Sequence, residues 1–254
     1  EGSQVASRVS KFIADELGIP NGVSVVSGAG DNAAAACGVG IMQEGQGFVS
    51  LGTSGVLLTA RSECTPLAES AVHTFCHAIP KTWYQMGVIL SATNSLNWLS
   101  SIIGQSPSQL AAELNDKIEG PSSEKFYPYL SGERTPLNDA HIRGGFVGLS
   151  TNSTSIKLTQ AVMEGVAFAL RDCLEALKKA GPSPEQLLAI GGGSRSRYWL
   201  ETIATSLNTS IACPMDGEYG AALGAARLAI LGKTGEPIKN ILSQPAISEI
   251  IEPR

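Results

Sequence analysis

The chain has little charge, no basic tract and no long apolar run. Only 16% of its 254 residues are charged, against about 25% in an average soluble domain. The 18 Lys and Arg residues are scattered and the net charge is -5, which argues against a surface that follows a nucleic-acid backbone. No apolar stretch approaches the roughly 20 residues of a membrane span. We therefore expect a protein that binds neither nucleic acid nor membrane.

Cysteine is present, but without a recognisable pattern. The five residues lack the paired spacing of disulfide scaffolds and zinc ribbons: Cys37, Cys64, Cys76, Cys173 and Cys213. Reduced thiols and the lack of a secretion signal at the first residues predict a cytoplasmic protein. His73 and His77 are four residues apart, but no carboxylate ligands and no second Cys/His pair accompany them. We expect no metal ion held directly by the protein.

The low charge has an explanation besides a large core, which is that one face lies against further protein. The sequence ends at Ile251–Arg254 without a predicted closing element. Both features favour a piece of a longer polypeptide.

Hydrophobic periodicity and turn residues predict the elements. Predicted helices cover 11–17, 33–42, 91–103, 109–118, 155–179 and 218–231, with another ending at 207; predicted strands cover 23–27, 83–90, 187–190 and 210–213, with a hairpin at 48–60. We expect residues 120–153 to form a long ordered connection, in which Glu133 and Arg134 would form a local ion pair. Strands in hairpins followed by alternating helices and strands are typical of the ribonuclease H-like domain of actin-like ATPases. We therefore predict an α/β fold with a mixed sheet flanked by helices.

The first candidate site is Asp31, in the segment Ser27–Ala33 (Ser-Gly-Ala-Gly-Asp-Asn-Ala). The preceding run Val23–Val26 predicts a buried strand, which would place Asp31 at a sheet edge where α/β folds bind ligands. A carboxylate there can accept the proton of an alcohol. Aspartate is also common in turns after glycine, so a purely structural role stays open.

The second candidate is the Gly52–Gly55 turn (Gly-Thr-Ser-Gly) inside the predicted hairpin. The N–H groups and hydroxyls of such a turn can surround a phosphate, although the same sequence also suits an ordinary hairpin loop. A carboxylate that deprotonates an alcohol and a loop that holds a phosphoryl group are the minimal equipment of a small-molecule kinase.

A third candidate is the triple glycine at 191–193, between a predicted strand and a helix. Glycines let a base and ribose approach the backbone, and a helix N-terminus favours phosphate; a simple turn is the alternative. Thr93 and Asn97 lie four residues apart, on one face of a predicted helix. They could face a nucleotide or form a solvated face. The small residues of 220–226 predict close packing between helices at a domain hinge.

These motifs, together with Pro-Tyr-Leu-Ser-Gly-Glu-Arg-Thr-Pro at 128–136, resemble the FGGY carbohydrate kinases. The likeness covers essentially all of residues 1–254 and corresponds to the C-terminal, nucleotide-binding domain. The N-terminal sugar-binding domain and the last helix of that family have no counterpart in the sequence. Within the family, the xylulokinase branch is the most similar. Lys157 departs from the family signature, which usually has His, Asp, Glu, Asn or Gln there.

The resemblance implies that ATP, with Mg²⁺, phosphorylates a sugar hydroxyl, with D-xylulose as the sugar. It implies that Asp31 is the general base and that Asn32 contacts the sugar. The residues assigned to the nucleotide, by motif or by resemblance, are Gly52, Thr53, Ser54, Thr93, Asn97, Gly191, Gly192, Gly193 and Ser196.

Other functions stay open at this point. Gluconokinase, ribulokinase and glycerol kinase belong to the same family, and a non-catalytic module that responds to nucleotide or sugar would share the fold. The presence of a base at Asp31 favours the enzyme. The missing N-terminal domain is the expected partner, a homodimer stays open, and we expect the chain alone to be inactive.

Overall fold

The computed structural model of the chain describes residues 1–114, 118, 120–215 and 220–254. The strands are β1 (Val5–Arg8), β2 (Ser24–Val26), β3 (Gly47–Leu51), β4 (Gly55–Arg61), β5 (His73–Cys76), β6 (Trp83–Ile89), β7 (Lys125–Tyr127), β8 (Gly145–Val147), β9 (Gln186–Ile190), β10 (Ser210–Pro214) and β11 (Ile247–Ile251). The helices are α1 (Lys11–Leu17), α2 (Asp31–Gly38), α3 (Thr93–Ile103), α4 (Pro107–Ala112), α5 (Ser155–Lys178), α6 (Arg197–Leu207), α7 (Gly220–Thr234) and α8 (Ile238–Ile241). Within these ranges no helix has both the length and the apolar character to cross a membrane.

The central sheet has seven strands in the order β11-β10-β9-β3-β4-β6-β5. Strand β4 pairs antiparallel with β3 and β6, whereas β9 runs parallel to both β3 and β10. Within this sheet, the antiparallel strands β6, β4 and β3 followed by the parallel strands β9 and β10 form a ribonuclease H-like arrangement, so the predicted α/β fold with a mixed sheet flanked by helices is confirmed. Because β3 and β9 are parallel, the turns that follow them, at Gly52 and Gly191, lie at the same end of the sheet.

Two hydrophobic cores cover the two faces of this sheet, because successive strand residues point to opposite sides. Val49 and Leu51 face the core formed with α3, α5 and α6. Phe48, which precedes Val49 in sequence, faces the core formed with α2 and α7. The elements that carry the candidate site therefore approach the sheet from both sides.

Helices α2 and α7 pack with their backbones in contact. A Cβ atom at Gly38 would lie 1.8 Å from the carbonyl oxygen of Gly220, and one at Gly224 would lie 1.7 Å from that of Ala34. Arg227 of α7 also donates to the Gly38 carbonyl (2.9 Å) at the end of α2. The predicted close packing of small residues is confirmed, and it fixes the helix that begins with Asp31.

The prediction of a buried strand before Asp31 is wrong. Strand β2 pairs with β1 in a separate two-stranded sheet, and Val23 and Val25 are 40% and 41% exposed. This small sheet is approached by α7, where Val26 lies close to Gly232. Asp31 therefore does not follow a strand of the central sheet.

The prediction that the sequence has no closing element is also wrong. Strand β11 pairs antiparallel with β10, with Ile251 opposite Ile211. Only Ile251 of this strand is buried, so its apolar pattern is too weak to identify from sequence.

Several predicted helix boundaries also differ from the observed ones; the predicted helix 33–42, for example, is observed as α2 (Asp31–Gly38). Ser91 is the predicted N-cap of α3, but the observed N-cap is Ala92, and hairpin carbonyls, described below, bind the first N–H groups of the helix. The predicted helix 109–118 begins earlier and is shorter, since α4 ends at Ala112, and the predicted helix 218–231 corresponds to α7. Parts of both predictions, at 115–117 and 218–219, lie outside the described residues.

The long connection at 120–153 is ordered, as predicted, and Glu124 binds it to the start of α5. The Glu124 carboxylate accepts from Ser123 Oγ and Ser153 Oγ, both at 2.6 Å, and Lys157 Nζ lies 4.0 Å away. These two hydroxyl donors, with the Lys157 charge adding, lower the pKa of Glu124 to about 2. Lys157, the departure from the family signature, therefore serves as a cation beside this buried carboxylate.

Candidate active site

The Gly52–Gly55 turn is held by the first turn of α3. The Ala92 N–H donates to the Thr53 carbonyl at 2.9 Å, and the Thr93 N–H donates to the Gly52 carbonyl at 3.0 Å. The Thr93 hydroxyl donates to the same Gly52 oxygen at 2.8 Å. The N–H groups that are unpaired at a helix start are satisfied by this turn, so hydrogen bonds join the turn directly to the helix.

The triple glycine packs against the end of β3, and each glycine has a different environment. Gly191 has φ +87°, and a Cβ there would lie 2.9 Å from the Leu51 carbonyl oxygen. A Cβ at Gly193 would lie 2.7 Å from Leu51 Cβ and 3.0 Å from Thr93 Cγ2. A Cβ at Gly192 would meet no atom of the described residues within 4 Å. Gly191 and Gly193 are thus required by the fold, whereas Gly192 borders open space.

That open space is a cleft of about 590 Å³ between α3, α4 and α6. Its lining includes five of the residues assigned to the nucleotide from sequence: Thr93, Asn97, Gly192, Gly193 and Ser196. Apolar atoms of Met163 and Trp199 add to the lining. Ser196 also caps α6, because its Oγ accepts from the Trp199 N–H at 3.3 Å. Gly52, Thr53, Ser54 and Gly191 do not line the cleft but adjoin it through Thr93 and Gly193.

Asp31 forms the other part of the candidate site. Asp31 is the first residue of α2, and its exposed carboxylate lies where the helix dipole favours a negative charge. Oδ1 accepts from the Asn32 backbone N–H at 2.8 Å and from Asn32 Nδ2 at 3.1 Å. Asn32 therefore orients the Asp31 carboxylate, a role that the sequence did not predict.

The loop that precedes Asp31 is fixed by Gly2. The Gly2 N–H donates to the Ala78 carbonyl at 2.8 Å, and the Gly2 carbonyl accepts from the Gly28 N–H at 2.9 Å. A Cβ at Gly2 would lie 2.9 Å from the Gly28 oxygen and 3.1 Å from Leu228. No sequence pattern identifies Gly2, because its partners are distant along the chain.

The structure does not bring Asp31 and the cleft into one pocket. Helix α2 packs on one face of the sheet, the cleft lies on the other, and Asp31 is absent from the lining of the cleft. On its own face of the sheet, the Asp31 carboxylate acts on Tyr84. Burial is the main cause that raises the pKa of Tyr84, and the negative charge of Asp31 raises it further.

His77 and the Glu133–Arg134 pair, which the sequence also singles out, have environments that explain their roles in the fold. His77 is buried among apolar atoms, which lowers its pKa to about 4, and its Nδ1 accepts from the Ile79 N–H. Among the described residues, no cluster of three or more His, Cys, Asp or Glu side chains could hold a metal ion. The predicted ion pair between the Glu133 and Arg134 side chains is not formed, because Glu133 Oε1 instead accepts the backbone N–H groups of Leu90 (3.0 Å) and Arg134 (2.7 Å).

Comparison with known proteins decides the family. Residues 47–232 match the family model described as the FGGY family of carbohydrate kinases, C-terminal domain. The chain belongs to the FGGY family of carbohydrate kinases. The matched range includes the Gly52–Gly55 turn, the cleft residues and the triple glycine, but it begins after Asp31.

Individual FGGY relatives extend the likeness to most of the chain. Xylulose kinase from Escherichia coli is 40% identical over 238 residues, covering 93% of this chain and 49% of that protein. Xylulose kinase from Klebsiella pneumoniae is 41% identical over 232 residues, covering 90% of this chain and 47% of that protein. A crystal structure of a xyloylose kinase from Brucella ovis superposes with a TM-score of 0.94 at 53% identity, covering 100% of this chain and 52% of the solved chain. The chain thus spans about half the length of the curated relatives it matches.

Proposed function

We propose that this chain is the nucleotide-binding half of a sugar kinase that transfers the γ-phosphoryl group of ATP to a hydroxyl of D-xylulose. The observation that supports this most strongly is the convergence of five nucleotide-assigned residues on one cleft, directly beside the Gly52–Gly55 turn. The sugar is chosen because the similar FGGY proteins at 40% and 41% identity are xylulose kinases.

The cleft has the size and lining that a nucleoside needs. Its volume of about 590 Å³ lies within the range of about 300–1,000 Å³ that is typical of small-molecule sites. Met163 and Trp199 supply apolar surface for a base, while Thr93, Asn97 and Ser196 supply polar atoms around it. The open space at Gly192 lets a flat ligand reach the backbone.

The phosphates of the nucleotide would extend from this cleft to the Gly52–Gly55 turn. The hydroxyls of Thr53 and Ser54 and the N–H groups of this tight turn suit phosphoryl oxygens. The oxygen atoms that these side chains offer fit Mg²⁺ arriving with the nucleotide rather than an all-protein metal site. When bound, Mg²⁺ neutralises negative charge on the phosphates.

The carboxylate of Asp31 would act on the sugar. As the sugar hydroxyl oxygen forms a bond to the γ-phosphorus, the bond from that phosphorus to the bridging oxygen breaks, and ADP leaves with the electron pair. Asp31 takes the hydroxyl proton, and Asn32 holds the carboxylate through the two hydrogen bonds described above. The N-terminal half of the same polypeptide, the proposed partner, would hold the sugar in line.

The test uses the complete polypeptide and an ADP-release assay over pentuloses, hexuloses, gluconate and glycerol. We expect the highest kcat/KM with D-xylulose. Preference for gluconate or glycerol would assign a different FGGY activity, and no turnover with any sugar would favour a nucleotide-responsive module.

The Asp31→Asn variant tests the proposed role of the carboxylate in the same assay. Asparagine keeps the shape and can hydrogen-bond a hydroxyl, but it cannot accept the proton. Because a general base contributes about 10²–10⁴ in rate, kcat should fall by at least about a hundredfold while sugar affinity changes far less. A kcat within about threefold of the parent would remove Asp31 from the mechanism.

A further inference from the structure

Glu133 is a buried carboxyl group beside the end of β6 that the proposed reaction does not use. Only 4% of the residue is exposed, and Oε1 accepts the N–H groups of Leu90 and Arg134. Oε2 is buried without a hydrogen-bond partner among the described residues. The same segment is fastened to β6 two residues further on, where the Thr135 N–H donates to the Val88 carbonyl at 3.0 Å and Thr135 Oγ1 accepts the Val88 N–H at 3.1 Å.

Leu90 links β6 to the first turn of α3, which holds the Gly52–Gly55 turn. Only two and three residues later, the N–H groups of Ala92 and Thr93 bind the carbonyls of Thr53 and Gly52. The Leu90 N–H lies beyond the strand ladder, since β6 ends at Ile89. Glu133 thus supplies the acceptor for the N–H group that lies between the end of β6 and this junction.

The side chain at position 133 must be an acceptor because the groups around it are donors. An apolar residue of the same length would leave the partly buried N–H groups of Leu90 and Arg134 without this acceptor, which is costly. Burial also raises the pKa of Glu133, because the backbone donors offset only part of its desolvation. The Glu133 side chain thus binds the N–H groups of Leu90 and Arg134 near the Gly52–Gly55 turn, but it does not line the cleft.

We propose that Glu133 is a positioning residue for the nucleotide, because its Oε1 fixes the Leu90 amide and thereby the first turn of α3 and the Gly52–Gly55 turn. The proposal rests on the nucleotide site proposed above. It assigns to Glu133 no contact with the nucleotide or the sugar.

The experiment compares ADP binding, in the presence of Mg²⁺, by the parent chain and by Glu133→Met, Glu133→Gln and Glu164→Met variants. Binding is followed by amide chemical shifts, and amide hydrogen exchange is measured without ligand. Methionine keeps the length of the side chain but accepts no hydrogen bond, whereas glutamine keeps the acceptor. Glu164 is a matched control, because it is 5% exposed and accepts the Ser122 N–H at 2.9 Å but does not line the cleft.

Glu133→Met should weaken ADP binding by about tenfold, since a hydrogen bond that involves an ionisable group is lost. It should also accelerate amide exchange at Ala92 and Thr93. Glu133→Gln should retain the parent affinity to within about threefold. Glu164→Met should lower thermal stability while leaving both readouts unchanged. Should Glu133→Met not fold, Glu133→Asp withdraws the acceptor by one methylene and provides the same comparison.

The outcomes separate this inference from the proposed function. If the parent chain binds no ADP, or if ADP binding perturbs no amide around the cleft, the nucleotide site itself is wrong. If the parent binds ADP in the cleft and the folded Glu133→Met or Glu133→Asp variant binds it equally well, with unchanged exchange at Ala92 and Thr93, the positioning role is wrong. Equal weakening by Glu164→Met would also overturn it, because general destabilisation would then explain the effect.

Discussion

At the scale of single residues, the triple glycine shows how similar positions differ in what they require. Gly191 needs a positive φ, which side chains disfavour, and Gly193 lies too close to Leu51 and Thr93 for any Cβ. Gly192 has neither constraint, yet its open side faces the cleft. The fold explains two of these glycines, and the third borders the nucleotide site proposed above.

Gly192→Leu should therefore abolish most nucleotide binding without harming the fold. A leucine side chain would occupy the proposed ligand space, so ADP affinity should fall at least about tenfold. Because a Cβ at this position would meet no atom of the described residues within 4 Å, the free energy of unfolding should change by no more than about 0.5 kcal/mol. Calorimetric titration with ADP and thermal unfolding measure the two quantities.

The control for this prediction is Gly145→Leu, at a second glycine where an added Cβ would meet no atom of the described residues within 4 Å. It lies in β8, away from the cleft, and should leave ADP binding unchanged. Unaltered binding by Gly192→Leu, or equal loss in both variants, would contradict the assignment of the cleft.

At the scale of helices and strands, the contact between α2 and α7 sets the position of Asp31. The backbone approach at Gly38 and Gly224 leaves no room for side chains. Arg227 closes the far end of α2 by donating to its last carbonyls, as cationic groups favour helix C-termini. The first residue of α2 is thus placed by a helix that lies far along the chain.

Gly224→Ala should destabilise the protein by about 1–3 kcal/mol or more, because the added methyl group forces the two helices apart. Chemical denaturation measures the change. Ala225→Leu, on the exposed side of the same helix, adds a larger side chain and should shift stability by only about 0.5 kcal/mol. A Gly224→Ala variant as stable as the parent would show that the contact between the helices can relax.

Elements with strong periodicity can be predicted from sequence, whereas elements that depend on distant partners cannot. The pattern of Leu158, Val162 and Val166, which repeats every four residues, predicts helix α5 to within one residue. Strands β1 and β11 have no such pattern, because each is largely exposed and is defined by pairing with another strand. The glycine motifs identify the turns of the candidate site, but the roles of Gly2 and Glu133 depend on contacts that no local pattern encodes.

At the scale of the whole molecule, the two parts of the candidate site lie on opposite faces of one sheet. Asp31 belongs to the α2 face, and the cleft belongs to the α3 and α6 face. The chain also spans about half the length of its curated relatives. This separation agrees with the proposal that the other half of the complete polypeptide holds the sugar between the carboxylate and the transferable phosphoryl group.

The isolated chain should consequently bind ADP without acting as a kinase. With part of the contact surface, we expect a dissociation constant near or above about 0.1–1 mM. Transfer to D-xylulose should be undetectable, because loss of alignment removes much of the roughly 7–11 kcal/mol that positioning contributes. A coupled ADP-release assay, run against the complete polypeptide, measures this. Turnover by the isolated chain above background would contradict the proposal that the other half of the polypeptide is needed to hold the sugar.

Strand β11 has a consequence for self-association. An open sheet edge offers unpaired N–H and carbonyl groups to any other strand, which promotes aggregation. Without β11, that edge would be β10, whose Ile211 and Ala212 are fully buried. With β11 in place, the edge carries Glu249, which forms an ion pair with Arg197, and a charged edge discourages pairing with a second chain. We therefore expect removal of β11 to increase self-association of the chain.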